Sequence, residues 1–589
     1  MASERVMAII GIGPRGGYAF ENLILELQQR NSLSQLQIFL FEETGNFGNG
    51  QVYPTDQPQS NWINITERIL NLDQRPALNS KTISIPEFPS YHEWANKDYD
   101  TIPDRAADTY PPRAVVGDYL KQRFESFVTP LIEANIVTLI EEQVVEVTID
   151  DKNKIELKTK AQTYTDLDEV LLTIGHQPTL LSEQIEKWNA FAASNKNVRL
   201  FKSPYPIKDF LNDKKITENS TIGVRGYGLA MIDVVRAIAL KFGEFVTENE
   251  QTKSCSYKTT KSITNLLVPF SLDGLPPAPK PLHAEIDALF KPTDEQIAEF
   301  EKKIGDHSVQ KAAGSPEFLI RAFAPIAAKV YLQLPNYKGD NLSLAETEKR
   351  IEKWLADNSY EHETITPTQQ ASSITMQEFV DMATGESPIS LDYCIGQVWR
   401  HCQPSIYAQL SYNGCNEKVF AEIIALDEQS KRYSYGPPVE SIQQLIALYK
   451  AGVMNLEMAN NPEFDLTEDG WQINLNGKSL TANIMIDSVL DAPKIEAVAA
   501  PIIKKMLSNN LIEAVHDQLG VATDENGYVQ STKKDNQIPI AVLGRLAKGT
   551  IIGVDAILEC FGLRPQQWAT EAANRHTKWL LELKKENLL

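Results

Sequence analysis

A glycine-rich turn close to the start of the chain has the residue types and spacing of a nucleotide-binding site. The turn Gly11-Ile12-Gly13-Pro14-Arg15-Gly16 directly follows an apolar run, Val6 to Ile10, and leads into a helical pattern. In such a unit Gly11 permits the tight turn, Gly13 lets a pyrophosphate approach the backbone, and Gly16 lets the helix pack closely on the strand. The anion then lies at the helix N-terminus. We therefore expect Gly11, Gly13, Pro14 and Gly16 to bind a dinucleotide.

A pair of acidic residues follows at the expected distance. A second apolar run, Leu36 to Phe41, ends at Glu42 and Glu43, where a carboxylate would accept hydrogen bonds from the ribose. Glu42 is the first candidate and Glu43 the alternative. A glycine-rich turn by itself is a weak indication, because such a loop can lack a ligand. Strand, helix, second strand and carboxylate in this order favour a nucleotide site.

A second glycine turn lies further along the chain. An apolar run, Thr221 to Val224, is followed by Arg225-Gly226-Tyr227-Gly228, and a helical pattern then runs to about Lys241. Gly226 and Gly228 are candidate cofactor-binding residues. The third glycine position holds Met231, where close packing of helix on strand normally requires a small residue. Both a nicotinamide site and a purely structural turn therefore stay open here.

Three further segments have the pattern of strands in the same nucleotide domain. They are predicted over Leu139 to Asp150, Lys154 to Lys160, and Asp168 to Ile174. The last one ends at Gly175, and in FAD-binding folds a strand with such an ending returns the chain beside the cofactor. Glycine permits the close approach, although an ordinary exit from a strand is the alternative. We include Gly175 among the cofactor-binding candidates.

With both turns placed, the chain resembles the bacterial FAD/NAD(P)-binding proteins whose nucleotide domain is related to N-hydroxylating flavin monooxygenases. The similar motifs are short, and their order along nearly the whole chain makes them specific. They are Gly11 to Gly17, Gly48 to Tyr53, Asn61 to Asn64, Tyr110 to Arg113, Gly117 to Leu120, Arg225 to Leu229 with Asp233, Tyr435 to Glu440, Ala451 to Val453, Ile486 to Ala492, and Leu543 to Thr550.

The resemblance implies that FAD binds across the first turn and Glu42. It also implies that the loop from Gly48 through Gly50 to Asn64 lies near the flavin, with Val144 near the adenine. The segment Gly544 to Thr550 would close the site from the far end of the chain. Arg545 stands where many FAD folds place an acid, which leaves the flavin contacts of this segment open.

The fold that follows is an α/β protein with a discontinuous Rossmann-type FAD-binding domain. Residues 1–207 and 431–589 would form this domain, the latter with C-terminal helices. Residues 208–430 would form an inserted, second Rossmann-like lobe of NAD(P)-binding type. This lobe would carry a helical insertion at about 283–411, with helices over Thr293 to Ile304 and Ala345 to Asp357.

Three polar residues in the segments that would border the flavin are candidates for catalysis. Asn64 could contact flavin or substrate, or cap its own loop. Arg113 could anchor a carboxylate or phosphate in bidentate fashion, or form a surface ion pair. His176 could hydrogen-bond the flavin or transfer a proton, or serve a structural role. His401, Cys394 and Cys402 lack a fourth partner nearby, so we predict no metal site.

Composition limits the partners. The chain has 589 residues, a formal net charge of −21 and five unclustered cysteines. Such a charge opposes binding to nucleic acid or anionic membranes, so we expect small-molecule partners, and a homo-oligomer is left open. Few cysteines and no apolar run of signal-peptide or membrane-spanning length lead us to expect a cytoplasmic protein.

The chemistry that this pattern favours is that of a flavoprotein with FAD and NAD(P)H as cofactors. No G-x-S-x-G, H-E-x-x-H or Walker motif indicates another enzyme class. We therefore expect an FAD-dependent oxidoreductase, specifically an NAD(P)H-dependent monooxygenase that hydroxylates a small polar substrate. The preference for an amine or amino acid nitrogen comes from the family resemblance. The alternatives are a flavin oxidoreductase that does not activate oxygen and a non-catalytic nucleotide-binding protein.

Overall fold

The computed structural model describes residues 4–80, 83–490, 494–517, 519–531 and 538–585. Asp491 and Ala492, the end of one motif noted above, lie outside these residues. The strands are, in chain order, β1 (Arg5–Ile10), β2 (Leu36–Phe41), β3 (Leu78–Asn79), β4 (Ser84–Ile85), β5 (Val137–Ile140), β6 (Val144–Ile149), β7 (Ile155–Thr159), β8 (Thr163–Leu167), β9 (Glu169–Leu172), β10 (Arg199–Phe201), β11 (Ile222–Arg225), β12 (Glu244–Asn249), β13 (Ser254–Lys258), β14 (Leu267–Phe270), β15 (Glu463–Thr467), β16 (Gly470–Leu475), β17 (Lys478–Ala482), β18 (Ile484–Asp487) and β19 (Ile540–Val542).

The α-helices are, in chain order, α1 (Pro14–Gln29), α2 (Tyr91–Trp94), α3 (Arg113–Glu133), α4 (Glu183–Ser194), α5 (Lys208–Leu211), α6 (Leu229–Phe242), α7 (Ala284–Ala288), α8 (Asp294–Ile304), α9 (His307–Ala312), α10 (Glu317–Gln333), α11 (Leu344–Ala356), α12 (Ser372–Ala383), α13 (Leu391–Leu410), α14 (Glu417–Ser434), α15 (Val439–Lys450), α16 (Pro501–Ser508) and α17 (Leu563–Lys585).

A five-stranded parallel sheet forms the centre of the first lobe. Its strand order is β19-β9-β1-β2-β5. Side chains of β1 alternate between two apolar layers: Met7 and Ile9 pack with α1, α3 and α17, whereas Ala8 and Ile10 pack with the β6-β7-β8 sheet and α16. A parallel sheet with both faces covered explains why these strands are almost wholly apolar in sequence.

The two ends of the chain meet in this lobe. Strand β19 pairs with β9, and helix α17 packs along α1. Buried Glu169 on β9 accepts a hydrogen bond from the Tyr528 hydroxyl at 2.5 Å and pairs with Arg5 and Arg575. The predicted discontinuous Rossmann-type domain is therefore confirmed.

A second parallel sheet, β10-β18-β11-β14, forms the inserted Rossmann-like lobe. Helix α6 connects β11 towards β14, with the hairpin β12-β13 between them. Strand β10 lies at residues 199–201 and β18 at 484–487, so the sheet draws on chain from both sides of residues 208 and 430. The exact domain boundaries stay a prediction.

A helical layer, α7 to α14, carries the predicted insertion between the strands of this second lobe. The predicted helices over 293–304 and 345–357 are α8 and α11, each started by a capping box, from Thr293 and Gln296 and from Ser343 and Glu346 respectively. The layer shares one apolar core with α6 and β11. The insertion is therefore packed onto the nucleotide-binding lobe.

One predicted strand is wrong in its length. Leu139 to Asp150 is not continuous, because the segment at Glu141 and Glu142 interrupts it and the chain changes sheet there. Strand β5 pairs with β2 in the central sheet, whereas β6 pairs with β7 in a separate antiparallel sheet. Across the described residues, no helix is both long and apolar enough to cross a lipid bilayer.

Candidate active site

Both glycine turns open into one cavity of about 1540 Å³. It extends from the carboxyl ends of the strands in the first sheet to those in the second. The predicted site residues that line it are Gly11, Gly13, Pro14, Glu42, Gly50, Asn64, Arg113, Val144, Gly175, His176, Gly226, Gly228 and Gly544. Ligands in open α/β sheets bind at this edge, in the crevice outside the carboxyl ends of the strands.

The first turn is held in place by backbone contacts that only glycine permits. Gly11 has a φ of +92°, and a Cβ there would lie 2.7 Å from the Thr173 carbonyl oxygen. A Cβ on Gly16 would lie 2.2 Å from the Gly11 carbonyl oxygen. Gly16 thus packs helix on turn and does not line the cavity, whereas a Cβ on Gly13 would meet only the Gly50 Cα, at 3.6 Å.

The second turn repeats the backbone arrangement of the first. The Gly11 amide donates to the Phe41 carbonyl at 2.8 Å, and the Gly226 amide donates to the Phe270 carbonyl at 2.9 Å. The N-cap residues Gly13 (φ −84°, ψ −164°) and Gly228 (φ −109°, ψ −160°) also agree. Strand β14 therefore has the same position relative to β11 and its glycine turn as β2 has relative to β1.

Met231 marks the difference between the two turns. It occupies the position of Gly16 and is fully buried in the core of the second lobe. Because a Cβ at Gly16 would clash with its own turn, a helix that carries a Met side chain at this position must lie further from its strand than α1 does. The change alters helix packing, and the space in front of Gly228 stays open, since a Cβ there would meet no atom within 4 Å.

Glu42, Glu43 and Val144 line the cavity beyond the carboxyl end of β2. Glu42 is buried, and one carboxylate oxygen accepts a hydrogen bond from the Thr44 hydroxyl at 2.9 Å. Burial raises the pKa of Glu42, although the contacts with Thr44 partly offset this. Glu43 instead accepts a hydrogen bond from the exposed Gln51 side chain. Both carboxylates thus lie at the end of β2, and Glu42 is the more enclosed.

Arg113 joins the two lobes. At the start of α3, its guanidinium lies 2.9 Å from the Asp233 carboxylate on α6 and over the Tyr205 ring. Tyr205 also donates to Asp233 at 2.6 Å. Burial lowers the pKa of Arg113, but Asp233 and Tyr205 more than offset this, so it lies above its usual value. The ion pair of Arg113 is a buried contact between lobes and not a surface pair.

The other two catalytic candidates occupy different walls. The Asn64 side-chain amide donates to the Tyr435 carbonyl at 3.3 Å, and the Asn64 carbonyl accepts from Lys280, so this residue ties the loop to the helical layer. His176 is exposed and follows the turn at Gly175, whose φ is +64°. The structure brings Asn64, Arg113 and His176 to the walls of one cavity.

Three of the predicted cofactor-binding residues do not line the cavity. Gly16 has the packing role given above. A Cβ on Gly48 would lie 2.4 Å from the Phe124 Cβ, so this glycine lets the loop approach α3. The Thr550 hydroxyl donates to the Val521 carbonyl at 3.2 Å, and its backbone carbonyl accepts from Tyr412. Their contribution to cofactor binding stays a prediction.

Several charged residues of the cavity are absent from the sequence prediction. Arg236 is buried, stacks on Trp62 with its guanidinium carbon 3.7 Å from the ring centroid, and donates to the Ser60 carbonyl at 2.7 Å. Burial lowers the pKa of Arg236 to about 10. Arg236 and Ser60 are 176 residues apart in sequence, and no local sequence pattern predicts a contact over such a distance.

A second group missed from sequence surrounds Asp555. Its carboxylate lies 2.5 Å from Lys431, 3.1 Å from Lys548 and 3.3 Å from Arg545. Burial raises the pKa of Asp555, but these three cations outweigh burial and hold it well below its usual range. Arg545, which stands where an acid was expected, therefore has an acidic partner ten residues further on.

The residues present fit two dinucleotides. Within the part of the chain that the structure describes, the starts of α1 and α6 have no side-chain cap and no acid in the first turn, unlike α8 and α11. Their first amides are therefore available to phosphates, which helix N-termini bind through these amides and the helix dipole. Gly13 and Gly228 leave the approach open, and the Glu42 carboxylate at the end of β2 would be available to a ribose at the first site.

Comparison with known proteins agrees with this assignment. Residues 8–177 match the family described as FAD-NAD(P)-binding. This match confirms the predicted FAD-binding domain of Rossmann type, and FAD and NAD(P)H as its cofactors.

Two curated proteins are similar in sequence. Nitrosuccinic acid synthase npaA of Aspergillus oryzae is 28% identical over 235 residues, 38% of this chain and 34% of that protein. The match thus spans about a third of the fungal protein. The uncharacterized protein YdhS of Escherichia coli is 22% identical over 529 residues, 85% of this chain and 86% of that protein.

Two solved structures show a more distant likeness. A cyclohexanone monooxygenase mutant from Rhodococcus sp. Phi1 bound to NADP+ is 12% identical, with a TM-score of 0.42 over 99% of this chain and 87% of that one. OTEMO in complex with FAD and NADP is 10% identical, with a TM-score of 0.43 over 100% of this chain and 85% of that one. Neither likeness decides the chemistry of this chain.

Of the three residues considered for metal binding, two are buried thiols and the third lies beside a carboxylate. Cys394 and Cys402 are buried, and burial raises the pKa of both thiols. His401 lies 3.4 Å from the Asp287 carboxylate, which also pairs with Arg400. Among the residues described by the structure, no three His, Cys, Asp or Glu side chains are grouped so that they could hold a metal ion.

Proposed function

We propose that this protein, whose residues 8–177 belong to the FAD-NAD(P)-binding family, is an FAD-dependent monooxygenase that uses NAD(P)H to hydroxylate a small polar substrate. The observation that carries the proposal is the single cavity shared by two glycine turns of matching backbone geometry. A flavin at the first turn and a nicotinamide at the second would meet between the lobes, which is the geometry that hydride transfer requires.

The nitrogen atom of an amine or amino acid is the proposed site of hydroxylation. Support comes from the fungal relative, whose named product, nitrosuccinic acid, carries oxidised nitrogen on a dicarboxylic acid. Arg236 in the cavity wall, which stacks on Trp62 and donates to the Ser60 carbonyl, is the candidate partner for a carboxylate of an acidic substrate. A screen of amines and amino acids would identify which of them is the substrate.

The residues of this chain would bind and orient, while the flavin, when bound, supplies the oxidation and reduction. The first amides of α1 would hold the FAD pyrophosphate, and Glu42 the ribose. The first amides of α6 would hold the nicotinamide dinucleotide. Arg113 and Asp233 would fix the second lobe against the first, because their ion pair joins the starts of α3 and α6. Asn64 and His176 would line the substrate space.

Oxygen-dependent turnover tests this proposal. Purified protein loaded with FAD is mixed with NAD(P)H and a panel of amines and amino acids, with and without oxygen. We expect visible flavin absorption, substrate-stimulated NAD(P)H oxidation and a hydroxylated product that appears only with oxygen. Absence of flavin bands after FAD addition contradicts cofactor binding. NAD(P)H oxidation that is indifferent to oxygen and yields no such product contradicts the monooxygenase and leaves a flavin oxidoreductase.

We further propose that the partners are small molecules and that the protein acts in the cytoplasm. The net charge of −21 supports the first point, since nucleic acid and anionic lipid would be repelled. All five cysteines are free thiols, which suits a reducing compartment. Cell fractionation tests the location, and recovery of the protein mainly with membranes or outside the cell contradicts it.

A further inference from the structure

Glu559 is a half-buried carboxyl group behind the wall of the cavity. It lies in the short helical turn Leu558–Phe561, between Ala556 and Cys560, which line the cavity. One carboxylate oxygen accepts a hydrogen bond from the Ala556 amide at 3.0 Å. The other accepts from the hydroxyl of Tyr435 at 3.4 Å, and Tyr435 lines the cavity. Glu559 has no ion pair with a basic side chain among the described contacts.

A chain of hydrogen bonds continues from Tyr435 into the helical layer. The hydroxyls of Tyr435 and Tyr407 lie 3.2 Å apart. Tyr407 in turn donates to a carboxylate oxygen of Asp427 at 3.3 Å. The other oxygen of Asp427 accepts from Trp399 at 3.0 Å and from Gln403 at 3.1 Å. A carboxyl group thus stands at each end of a pair of tyrosine hydroxyls.

The charges around Glu559 oppose one another. Asp555 faces it from the same loop, Arg15 from α1 and Lys431 from α14. Arg15 donates to the Glu559 carbonyl at 3.2 Å and to the Val554 carbonyl at 3.2 Å, which holds this loop on the first turn. Lys431 is engaged by Asp555 at 2.5 Å and by Glu428. The nearby cations therefore have other partners, and Glu559 is not held as a carboxylate.

We propose that Glu559 and Tyr435 form a proton relay into the cavity, with Tyr407 and Asp427 as positioning residues behind them. The inference rests on the proposed function. In that reaction NAD(P)H, one proton, O₂ and substrate R–H give NAD(P)⁺, water and R–OH, so each turnover consumes one proton. When Glu559 is protonated, its carboxyl donates to the Tyr435 oxygen. As the Tyr435 hydroxyl gives its proton to an acceptor in the cavity, Tyr435 takes the proton of Glu559, and the resulting Glu559 carboxylate is then reprotonated from solvent.

The titration of Glu559 suits this task. Burial, with a further contribution from Asp555, raises the pKa of Glu559 to about 7, against the opposing effects of the Ala556 amide, Arg15 and Lys431. A donor works best when its pKa lies near the working pH, because the protonated form is then populated and gives up its proton readily. Burial raises the pKa of Tyr435 and of Tyr407 well above the ordinary value, so neither hydroxyl is left as a phenolate, and Tyr435 releases a proton only as it receives another from Glu559.

The variant Glu559→Gln tests the relay in the FAD-loaded enzyme. We expect kcat for substrate-dependent turnover to fall by roughly 100-fold, the lower range for loss of a general acid, while the Kd for FAD stays within about 2-fold. The wild-type rate should decline above pH 7 as Glu559 loses its proton. Glu559→Gln should lose that decline, and Glu559→Asp should recover part of the rate.

A second readout does not depend on turnover. The infrared C=O band of a protonated carboxyl should disappear from the wild-type protein as the pH rises through 7, and this change should be absent in Glu559→Gln. Tyr435→Phe should keep the titrating band but lower kcat, because Glu559 remains while its path is cut. Tyr331→Phe is the matched control: it removes another buried hydroxyl of the helical layer, bonded to the Lys338 carbonyl at 2.6 Å, and should leave kcat unchanged.

Failure of the relay and failure of the proposed function give different results. If Glu559→Gln keeps the wild-type kcat and pH profile, or if no carboxyl band that titrates near pH 7 is lost with it, the relay is overturned. A loss of FAD affinity equal to the loss of kcat, without recovery in Glu559→Asp, also overturns it in favour of a structural role. If the wild-type protein forms no oxygen-dependent product, the proposed function fails, whatever the infrared titration shows.

Discussion

At Gly13 a small substitution should weaken FAD binding without affecting folding. Its φ of −84° is ordinary for any residue, and an added Cβ would meet only Gly50, at 3.6 Å. Gly13→Ala should therefore fold normally but place a methyl group where the pyrophosphate approaches. We expect the Kd for FAD to rise at least 10-fold, or about 1.4 kcal/mol, measured by flavin fluorescence. Gly314→Ala, which also adds a methyl group in open space, is the control; unchanged FAD affinity in Gly13→Ala contradicts the assignment.

Gly228 provides the reciprocal experiment in the second turn. A Cβ on Gly228 would meet no atom within 4 Å, and the residue has the same cap geometry as Gly13. Gly228→Ala should raise the Kd for NAD(P)H about 10-fold and leave the Kd for FAD unchanged, as measured by titration of the flavin-loaded protein. An unchanged Kd for NAD(P)H would indicate that the second turn does not bind this cofactor and has only a structural role.

Glu42 should matter for the ligand more than for the fold. Because burial raises its pKa, the folded state holds the proton more tightly, and the associated stability is present at low pH and lost as the pH rises through the folded pKa. Apo Glu42→Gln should thus be at least as stable as wild type at neutral pH in thermal melts. FAD should bind it about 10-fold more weakly, since a hydrogen bond to a charged group contributes ~1.5–3 kcal/mol. If Glu43→Gln, and not Glu42→Gln, weakens FAD binding, Glu43 is the ribose acceptor.

At the level of elements, the sequence predicted best where structure is local. The apolar runs that start at Val6 and Leu36 agree with β1 and β2 to within about one residue, and the helical pattern predicted between them is α1. The segment Leu139 to Asp150 was less predictable, because two strands of different sheets follow each other with only a short interruption. Periodicity reports the strand pattern but not the partner with which each strand pairs.

The proline-rich segment 275–281 shows a second limit of local patterns. Its composition indicates a stiff, extended connection, and the structure contains no regular element there. Most of its residues are nevertheless buried: the Ala278 amide donates to the Arg432 carbonyl and the Lys280 amide to the Pro437 carbonyl. These partners lie more than 150 residues away in sequence, so only the fold reveals that the segment joins the helical layer to the cavity wall. The contacts of Glu559 with Tyr435 were unpredictable for the same reason.

We predict that Glu169 holds helix α17 against the first lobe. Glu169 is fully buried, pairs with Arg5 on its own sheet and lies 3.2 Å from Arg575 on α17. Glu169→Gln leaves two cations without their carboxylate, which costs ~3–5 kcal/mol when a buried pair is broken. We expect the apparent melting temperature to fall by several degrees and α17 to exchange amide hydrogens faster. Glu582→Gln, on the exposed face of α17, should change neither; equal melting temperatures for both variants would contradict the role of Glu169.

For the whole molecule, the relative position of the two lobes is the property that hydride transfer would depend on. The ion pair of Arg113 and Asp233, supported by Tyr205, is a buried contact between them at the cavity. Neither residue lies in a glycine turn. Breaking the pair should therefore leave each nucleotide site intact while the lobes lose their fixed separation.

The variants Arg113→Gln and Asp233→Asn should each slow reduction of bound flavin by NAD(P)H, by roughly 10-fold or more, because small displacements at a reacting centre are costly. The Kd for FAD should change less than about 2-fold, because neither Arg113 nor Asp233 lies in a glycine turn. In a double-mutant cycle the combined variant should be no slower than the worse single variant, since the two residues act as one unit. Stopped-flow absorbance gives the rates. Additive losses would mean that Arg113 and Asp233 act separately, and Arg113 would then be free to anchor an anionic group of the substrate or cofactor.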